Sequence, residues 1–143
     1  MSNGQIVREA CRVIWSEGQL ERIEEFYADD YTADYPRTDW GTGIDGIRAL
    51  ATSIRMGFPD YREEIEELIE AGDRVVVQLK IRGTHRGTMD GMPPTGRAVE
   101  FRDVTLLTLR NGKIIAQRGL SDHFALYQQL GLITLPGPAG DSV

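Results

Sequence analysis

The stretch RGLSDHFALYQQLG, residues 118–131, concentrates groups that can move protons. Arg118, Asp122 and His123 fall within six residues of one another, and an apolar segment follows them. A carboxyl group in an apolar pocket beside a cation suits general acid–base catalysis, because the pocket and the cation both change the pKa of the carboxyl group. The same pattern also suits an aspartate that only caps the start of a helix. The residues alone leave both interpretations of Asp122 open.

Asp103 lies in a β-hairpin that precedes this stretch. Two apolar strands within residues 99–120 flank Asn111-Gly112, a typical pair for a hairpin turn. One face of the first strand is an apolar stripe interrupted by a carboxyl and a hydroxyl, and it consists of Phe101, Asp103, Thr105, Leu107 and Leu109. This face is the first place to expect a binding wall with a reactive group in it.

The turn decides which residues of the second strand share that face. A two-residue turn puts Arg118 and Asp122 beside Asp103, whereas a three-residue turn with a bulge puts Gly119 and Ser121 there. In the first register, the three charged residues form a cluster with altered pKa values, and they are the candidate catalytic residues. A structural Asp–Arg pair at the rim of the sheet, with Asp122 as a cap, is the equally weighted alternative.

The candidate substrate-binding residues are aromatic, apolar or small side chains around this hairpin and in the loops. For His85 the default is a hydrogen-bonded loop histidine, and for Trp15 and Trp40 it is a packing role. The full set is Trp15, Tyr35, Trp40, His85, Met92, Phe101, Thr105, Leu107 and Gly119. No metal site is predicted, because the two histidines and the single cysteine lack the spacing of metal ligands.

Apolar periodicity predicts the elements that must position these groups. Helical spacing indicates helices over residues 4–15, 20–27, 44–58 and 122–131, and it favours a helix over 61–70 as well. Residues 28–43 are typical of a loop, and residues 74–85 of a strand. Helices followed by a strand meander predict an α+β fold with helices on one face of an antiparallel sheet. One domain over residues 1–132 and a disordered tail over 133–143 are expected.

Composition limits the partners. The net charge of −6 and the pI near 4.9 argue against binding to nucleic acid, which requires a basic surface. One cysteine and no apolar run of membrane-spanning length predict a cytoplasmic protein.

Several motifs, in order, resemble the SnoaL-like polyketide cyclase family. They are GTHRGTMDGMPPTG, NGKI and QQLG, and the likeness extends to SEGQLERIEEFYADDY and AGDRVVV, so that it covers residues 5 to about 131. The resemblance implies the cone-shaped α+β barrel shared with ketosteroid isomerase and nuclear transport factor folds. In that barrel a curved, mainly antiparallel sheet and three helices enclose an apolar cavity. It also implies a strand, in place of a helix, over residues 61–70, and a homodimer.

The family's cyclases perform an intramolecular aldol condensation without a cofactor. Their acid–base aspartate follows an arginine that Arg118 resembles, so its position is taken here by Gly119. The positions of an assisting histidine and asparagine are taken by Thr105 and, approximately, Ala33. The missing aspartate favours the bulged register, in which Gly119 faces the cavity near Asp103.

The missing aspartate also shapes the expected activity. Relatives in anthracycline pathways that lack it are linked to ring hydroxylation, so the leading hypothesis is a tailoring hydroxylase of an anthracycline-type aromatic polyketide. No cofactor is bound in this hypothesis; dioxygen is the oxidant, and a partner reductase consumes NADPH. The alternatives are an aldol cyclase whose acid has moved to Asp103 or Asp122, and a small-molecule-binding domain without catalysis.

Overall fold

The computed structural model describes residues 1–35 and 43–137, and its chain begins with a capped helix. Helix α1 spans Asn3–Ala10; the Ser2 hydroxyl accepts from the Gln5 amide, and the Gln5 side chain accepts from the Ser2 amide. A π-helical segment, Cys11–Ser16, extends it, and Gly18 with φ +71° follows. The predicted helix over 4–15 is therefore confirmed, with its apolar face buried.

The next segment differs from its prediction. After a single 3₁₀ turn, Leu20–Arg22, helix α2 covers only Ile23–Phe26, and strand β1 covers Tyr27–Asp34. The loop prediction for residues 28–43 is thus wrong over its first part. The register of β1 shifts between Tyr27 and Thr32, so its buried side chains do not alternate regularly. Residues 36–42 lie outside the described part of the chain.

The remaining elements are helix α3 and four long strands. Helix α3 spans Gly43–Gly57, as predicted, and is followed by β2 Arg62–Ala71, β3 Arg74–Thr84, β4 Ala98–Arg110 and β5 Lys113–Ser121. The sheet order is β1-β5-β4-β3-β2, with β1 parallel to β5 and all other pairs antiparallel. The α+β prediction is confirmed.

Strand β2 shows why helical periodicity misled for residues 61–70. Its register shifts between Ile65 and Glu67, so that Leu68 rather than Glu67 follows Ile65 on the partly buried side. The three-residue step from Ile65 to Leu68 imitates the spacing of a helix. The strand implied by the family resemblance is the correct assignment.

The β4–β5 hairpin combines both predicted alternatives. Asn111 and Gly112 have φ values of 51° and 78° and form a two-residue turn, with Leu109 opposite Ile114. Thr108 then lies opposite Ala116, which leaves Ile115 as an extra residue in β5. Because of this bulge, Thr105 pairs with Gly119 and Asp103 with Ser121. The turn has two residues, as in the first predicted register, but the residues that share a face with Asp103 are Gly119 and Ser121, as in the second.

The last helix follows β5 directly. Helix α4 spans His123–Gln129, and the Asp122 carboxylate accepts from the Ala125 amide at 3.0 Å, so the predicted cap is present. Residues 133–137 have no regular secondary structure, and the disordered tail remains a prediction. Within residues 1–35 and 43–137, no helix is long and apolar enough to cross a membrane.

Candidate functional site

A cavity of about 480 Å³ lies between the helices and the concave face of the sheet. Its wall is mostly apolar and includes five of the predicted binding residues, namely Trp15, Tyr35, Phe101, Thr105 and Leu107. The Trp15 indole donates to the Tyr27 hydroxyl at 2.8 Å, which holds its ring in place. A cavity of this size and character is suited to a small organic molecule with several rings.

Asp103 is the buried acid of the cavity. It is 6% exposed, and its carboxylate accepts hydrogen bonds from the hydroxyls of Thr105 and Ser121. Burial raises the pKa of Asp103, and the hydrogen bonds from Ser121 and Thr105 and the nearby His123 oppose this shift. The result is a carboxyl group that is a stronger base than a solvent-exposed aspartate and that faces an apolar space.

A chain of polar side chains leads across the cavity to Asp103. The Tyr31 hydroxyl donates to Gln117 at 3.1 Å, and the Gln117 amide donates to the Tyr35 hydroxyl. The Tyr35 and Thr105 hydroxyl oxygens are 3.0 Å apart, and Thr105 donates to Asp103. Each donor in this chain points towards the carboxylate, which favours its ionised form.

Gly119 faces the same chain, opposite Thr105. A Cβ atom at this position would lie 2.8 Å from the Thr105 hydroxyl and against the Tyr35 ring. Tyr35 therefore occupies the space that a side chain at position 119 would need. The aromatic ring thus packs directly against the glycine.

Glu63 is a second acid of the cavity, and sequence reasoning missed it. It lies on β2 opposite Ile81, and its half-buried carboxyl accepts from the Tyr61 hydroxyl at 2.8 Å. Burial raises the pKa of Glu63 to about 8; the Tyr61 hydrogen bond opposes this and the charge of Asp103 adds to it. The sequence feature that could have identified Glu63 is its place between Tyr61 and Ile65 in an alternating strand pattern. The pattern was interpreted as a helix instead.

Two of the three predicted catalytic residues lie away from the cavity. Arg118 pairs with Leu106 and with Asp34 of β1, and its side chain is exposed. Asp122 is exposed as well and acts as the cap of α4. The predicted cluster of these two residues with Asp103 does not form, because the extra residue Ile115 turns Arg118 to the outer face of the sheet.

Three of the predicted binding residues, His85, Met92 and Gly119, are not part of the cavity wall. His85 is fully buried behind it, where Nδ1 accepts from the Thr95 amide at 3.1 Å and the ring packs 5.4 Å from that of Phe58. Met92 is joined to Met89 by two backbone hydrogen bonds, and Met89 is the one that reaches the cavity. Trp40 lies outside the described residues.

The described ranges 1–35 and 43–137 contain no group of three His, Cys, Asp or Glu side chains that could hold a metal ion. The cavity wall carries two carboxyl groups, which can accept and donate protons. Asp103 and Glu63 both face it, from strands on either side of β3.

The sequence and the fold both match known proteins. The profile of the family described as SnoaL-like polyketide cyclase matches residues 5–130. The chain belongs to the SnoaL-like polyketide cyclase family. The predicted resemblance is confirmed, and with it the family's α+β fold.

The chain is similar in sequence to several cyclases of Streptomyces. The chain is 34% identical over 91 residues to aklanonic acid methyl ester cyclase DnrD of Streptomyces peucetius, in a match that spans 62% of each chain. It is 30% identical over 121 residues to aklanonic acid methyl ester cyclase AcmA of Streptomyces galilaeus, covering 82% of this chain and 83% of AcmA. It is 31% identical over 121 residues to nogalonic acid methyl ester cyclase of Streptomyces nogalater, and the match covers 82% of this chain and 89% of that cyclase.

Solved structures share the architecture. A protein of Acidithiobacillus ferrooxidans, provisionally assigned as a polyketide cyclase, superposes with a TM-score of 0.84 at 26% identity, covering 93% of this chain and 97% of that one. AclR of Streptomyces galilaeus, provisionally assigned as a hydroxylase, superposes with a TM-score of 0.83 at 21% identity. The superposition covers 96% of this chain and 85% of AclR. At that identity the likeness to AclR concerns the fold alone.

Proposed function

We propose that the protein is a cyclase that closes a ring of an anthracycline-type aromatic polyketide methyl ester by intramolecular aldol condensation. The observation that carries the proposal is Asp103, a buried carboxyl with two hydroxyl donors in the wall of an apolar cavity. The similarity to cyclases that act on aklanonic and nogalonic acid methyl esters supports this substrate class. Asp103 thus acts as the acid–base group in the proposal, because Gly119 has no side chain that could do so.

The reaction needs one group that accepts and returns a proton. In the proposed mechanism, the Asp103 carboxylate removes a proton from the carbon next to a carbonyl group of the substrate. The resulting enolate carbon attacks a ketone carbon of the same molecule, which forms the new carbon–carbon bond and an alkoxide. The proton then passes from Asp103 to the alkoxide. Atoms and electrons balance without an oxidant, so the proposed reaction requires no cofactor.

Thr105 and Ser121 are proposed to set the strength and direction of this base. Their hydrogen bonds stabilise the carboxylate, while burial favours the neutral acid, so the two effects partly offset each other. Tyr35 and Gln117 extend the hydrogen-bond chain and orient the Thr105 hydroxyl. A base of intermediate strength that can both accept and return a proton is what an aldol reaction at neutral pH requires.

The comparisons favour this alternative over the ring hydroxylation that the missing aspartate first suggested. The curated relatives named above are cyclases, whereas the named hydroxylase, AclR, is similar in fold at 21% identity. Hydroxylation would add an oxygen atom from dioxygen and would draw on a partner reductase that uses NADPH. Product mass separates the two reactions.

The test is incubation of the purified protein with the open-ring methyl ester of an anthracycline-type polyketide, with and without air. The proposal expects a ring-closed isomer of unchanged mass under both conditions. A product that gains one oxygen atom only in air, with a quinone reductase and NADPH present, would replace it with the hydroxylase hypothesis. Tight binding without any product would point to the non-catalytic binding domain.

The homodimer implied by the family resemblance remains a prediction, supported by the outer face of the sheet. Val104 of β4 and Leu120 of β5 lie opposite each other there, 48% and 67% exposed. A neighbouring pair of exposed apolar side chains on a sheet is suited to an interface between two copies. Light scattering of the wild type and of Leu120→Lys tests it: a dimer that becomes a monomer is expected, and a monomeric wild type contradicts it.

A further inference from the structure

The proposed reaction uses one carboxyl of the cavity, and Glu63 is the other. Glu63 on β2 pairs with Ile81 on β3, which pairs with Phe101 on β4, two residues before Asp103. All four side chains line the cavity. The two acids therefore face the same space from different strands and can reach different atoms of one bound molecule.

Glu63 lies among neutral and acidic side chains. The Tyr61 hydroxyl donates to Oε1 at 2.8 Å, and the Cys11 thiol forms the other side-chain hydrogen bond, also as a donor. The titratable groups that interact with Glu63 are Cys11, Tyr27, Tyr61 and Asp103, so no cation stands among them. Burial and the charge of Asp103 favour the neutral acid, and a molecule bound in the cavity can accept a hydrogen bond from its O–H.

We infer that Glu63 is a hydrogen-bond donor to a carbonyl oxygen of the bound polyketide. This inference rests on the proposed function, since a polyketide ester is rich in carbonyl oxygens and an aldol reaction builds negative charge on one of them. A neutral carboxylic acid held in an apolar cavity stabilises such an oxygen more strongly than water does. Glu63 would thus polarise one carbonyl group while Asp103 moves the proton.

The test measures binding of a non-reacting probe, methyl anthraquinone-2-carboxylate, by calorimetry at pH 6 and pH 9. The wild type should bind about tenfold more weakly at pH 9, because Glu63 with a pKa of about 8 must then regain its proton. Glu63→Gln keeps a donor of similar size without titrating, so it should bind equally at both pH values. Glu63→Leu removes the donor and should bind about tenfold more weakly at pH 6.

Glu67→Gln is the matched control, because Glu67 lies on the same strand and is exposed. It should retain the pH dependence of the wild type. The inference is overturned if Glu63→Gln loses affinity at pH 9 as the wild type does, if Glu63→Leu binds as tightly as the wild type at pH 6, or if the wild type does not bind the ester. Failure of the proposed function would appear separately, in the mass of the product, because the probe is not turned over.

Discussion

The Tyr35 ring lies against the point from which a side chain at position 119 would project. Gly119 and Tyr35 therefore depend on each other: a larger residue at 119 requires the ring to move, and the ring requires a glycine there. The Tyr35 hydroxyl in turn lies 3.0 Å from that of Thr105, which donates to Asp103. The glycine at position 119 and the hydrogen bonding of Asp103 are thus two aspects of the same packing.

This relationship predicts a packing conflict in Gly119→Ala. The added methyl group should destabilise the protein by about 1–3 kcal/mol, the usual cost of forcing extra volume into a packed site. Urea unfolding of Gly119→Ala, Tyr35→Ala and the double variant measures it. The cost of the methyl group should shrink in the Tyr35→Ala background, and equal costs in both backgrounds would show that Tyr35 is not the obstacle.

Asp103→Asn should abolish most of the activity while the fold is kept. The amide has the size of the carboxyl but cannot accept the substrate's proton, so kcat/KM should fall by about 10²-fold or more. Asp122→Asn is the control, because asparagine caps a helix as well as aspartate does. Wild-type activity in Asp103→Asn, or an equal loss in both variants, would remove Asp103 from its role.

Glu63 predicts how stability changes with pH. Its pKa is about 8 in the folded protein and lies near 4.5 without the fold, so between these values the unfolded chain ionises first. The stability that neutral Glu63 contributes is present below pH 4.5 and is lost as the pH rises through 8.

Glu63→Gln cannot ionise and should escape this loss. Relative to the wild type, its free energy of unfolding should increase between pH 5 and pH 8 by about 3 kcal/mol. Urea titrations at the two pH values measure it. Comparing the variant with the wild type removes most of the contribution of Asp103, whose pKa is raised too. If the free energies of unfolding of the variant and the wild type differ by the same amount at both pH values, the pKa of Glu63 is not raised.

The two acids also predict selection against charged substrates. The cavity wall includes Arg82, but its guanidinium group pairs with Glu64 and Glu100. A free carboxylate in the cavity would meet Asp103 and Glu63, so a methyl ester should bind at least about tenfold more tightly than its free acid at pH 8. Calorimetry with methyl anthraquinone-2-carboxylate and with the free acid compares them. Equal affinities would show that the acids do not affect selectivity.

Local patterns in the sequence were sufficient for much of the fold. The cap at Ser2, the spacing of apolar residues in α3, the Asn111-Gly112 turn and the Asp122 cap depend on residues close in the chain. The motifs around residues 83–96 and the end of the last helix were sufficient for the family. Strand β2 was predicted correctly only through that resemblance, because its register shift at Ile65 imitates a helix.

The site depended on interactions that no local pattern contains. One extra residue in β5, Ile115, exchanged the side chains on the two faces of the strand, so Arg118 turned outwards and Gly119 inwards. Glu63 lines the cavity because β2 pairs with β3, and this pairing cannot be recognised from the local sequence. The sequence by itself determined the family, the main elements and Asp103 as a candidate acid. The family resemblance favoured the register that brings Gly119 near Asp103, but only the tertiary structure decided which groups contact Asp103, because strand register is set by packing between segments far apart in the chain.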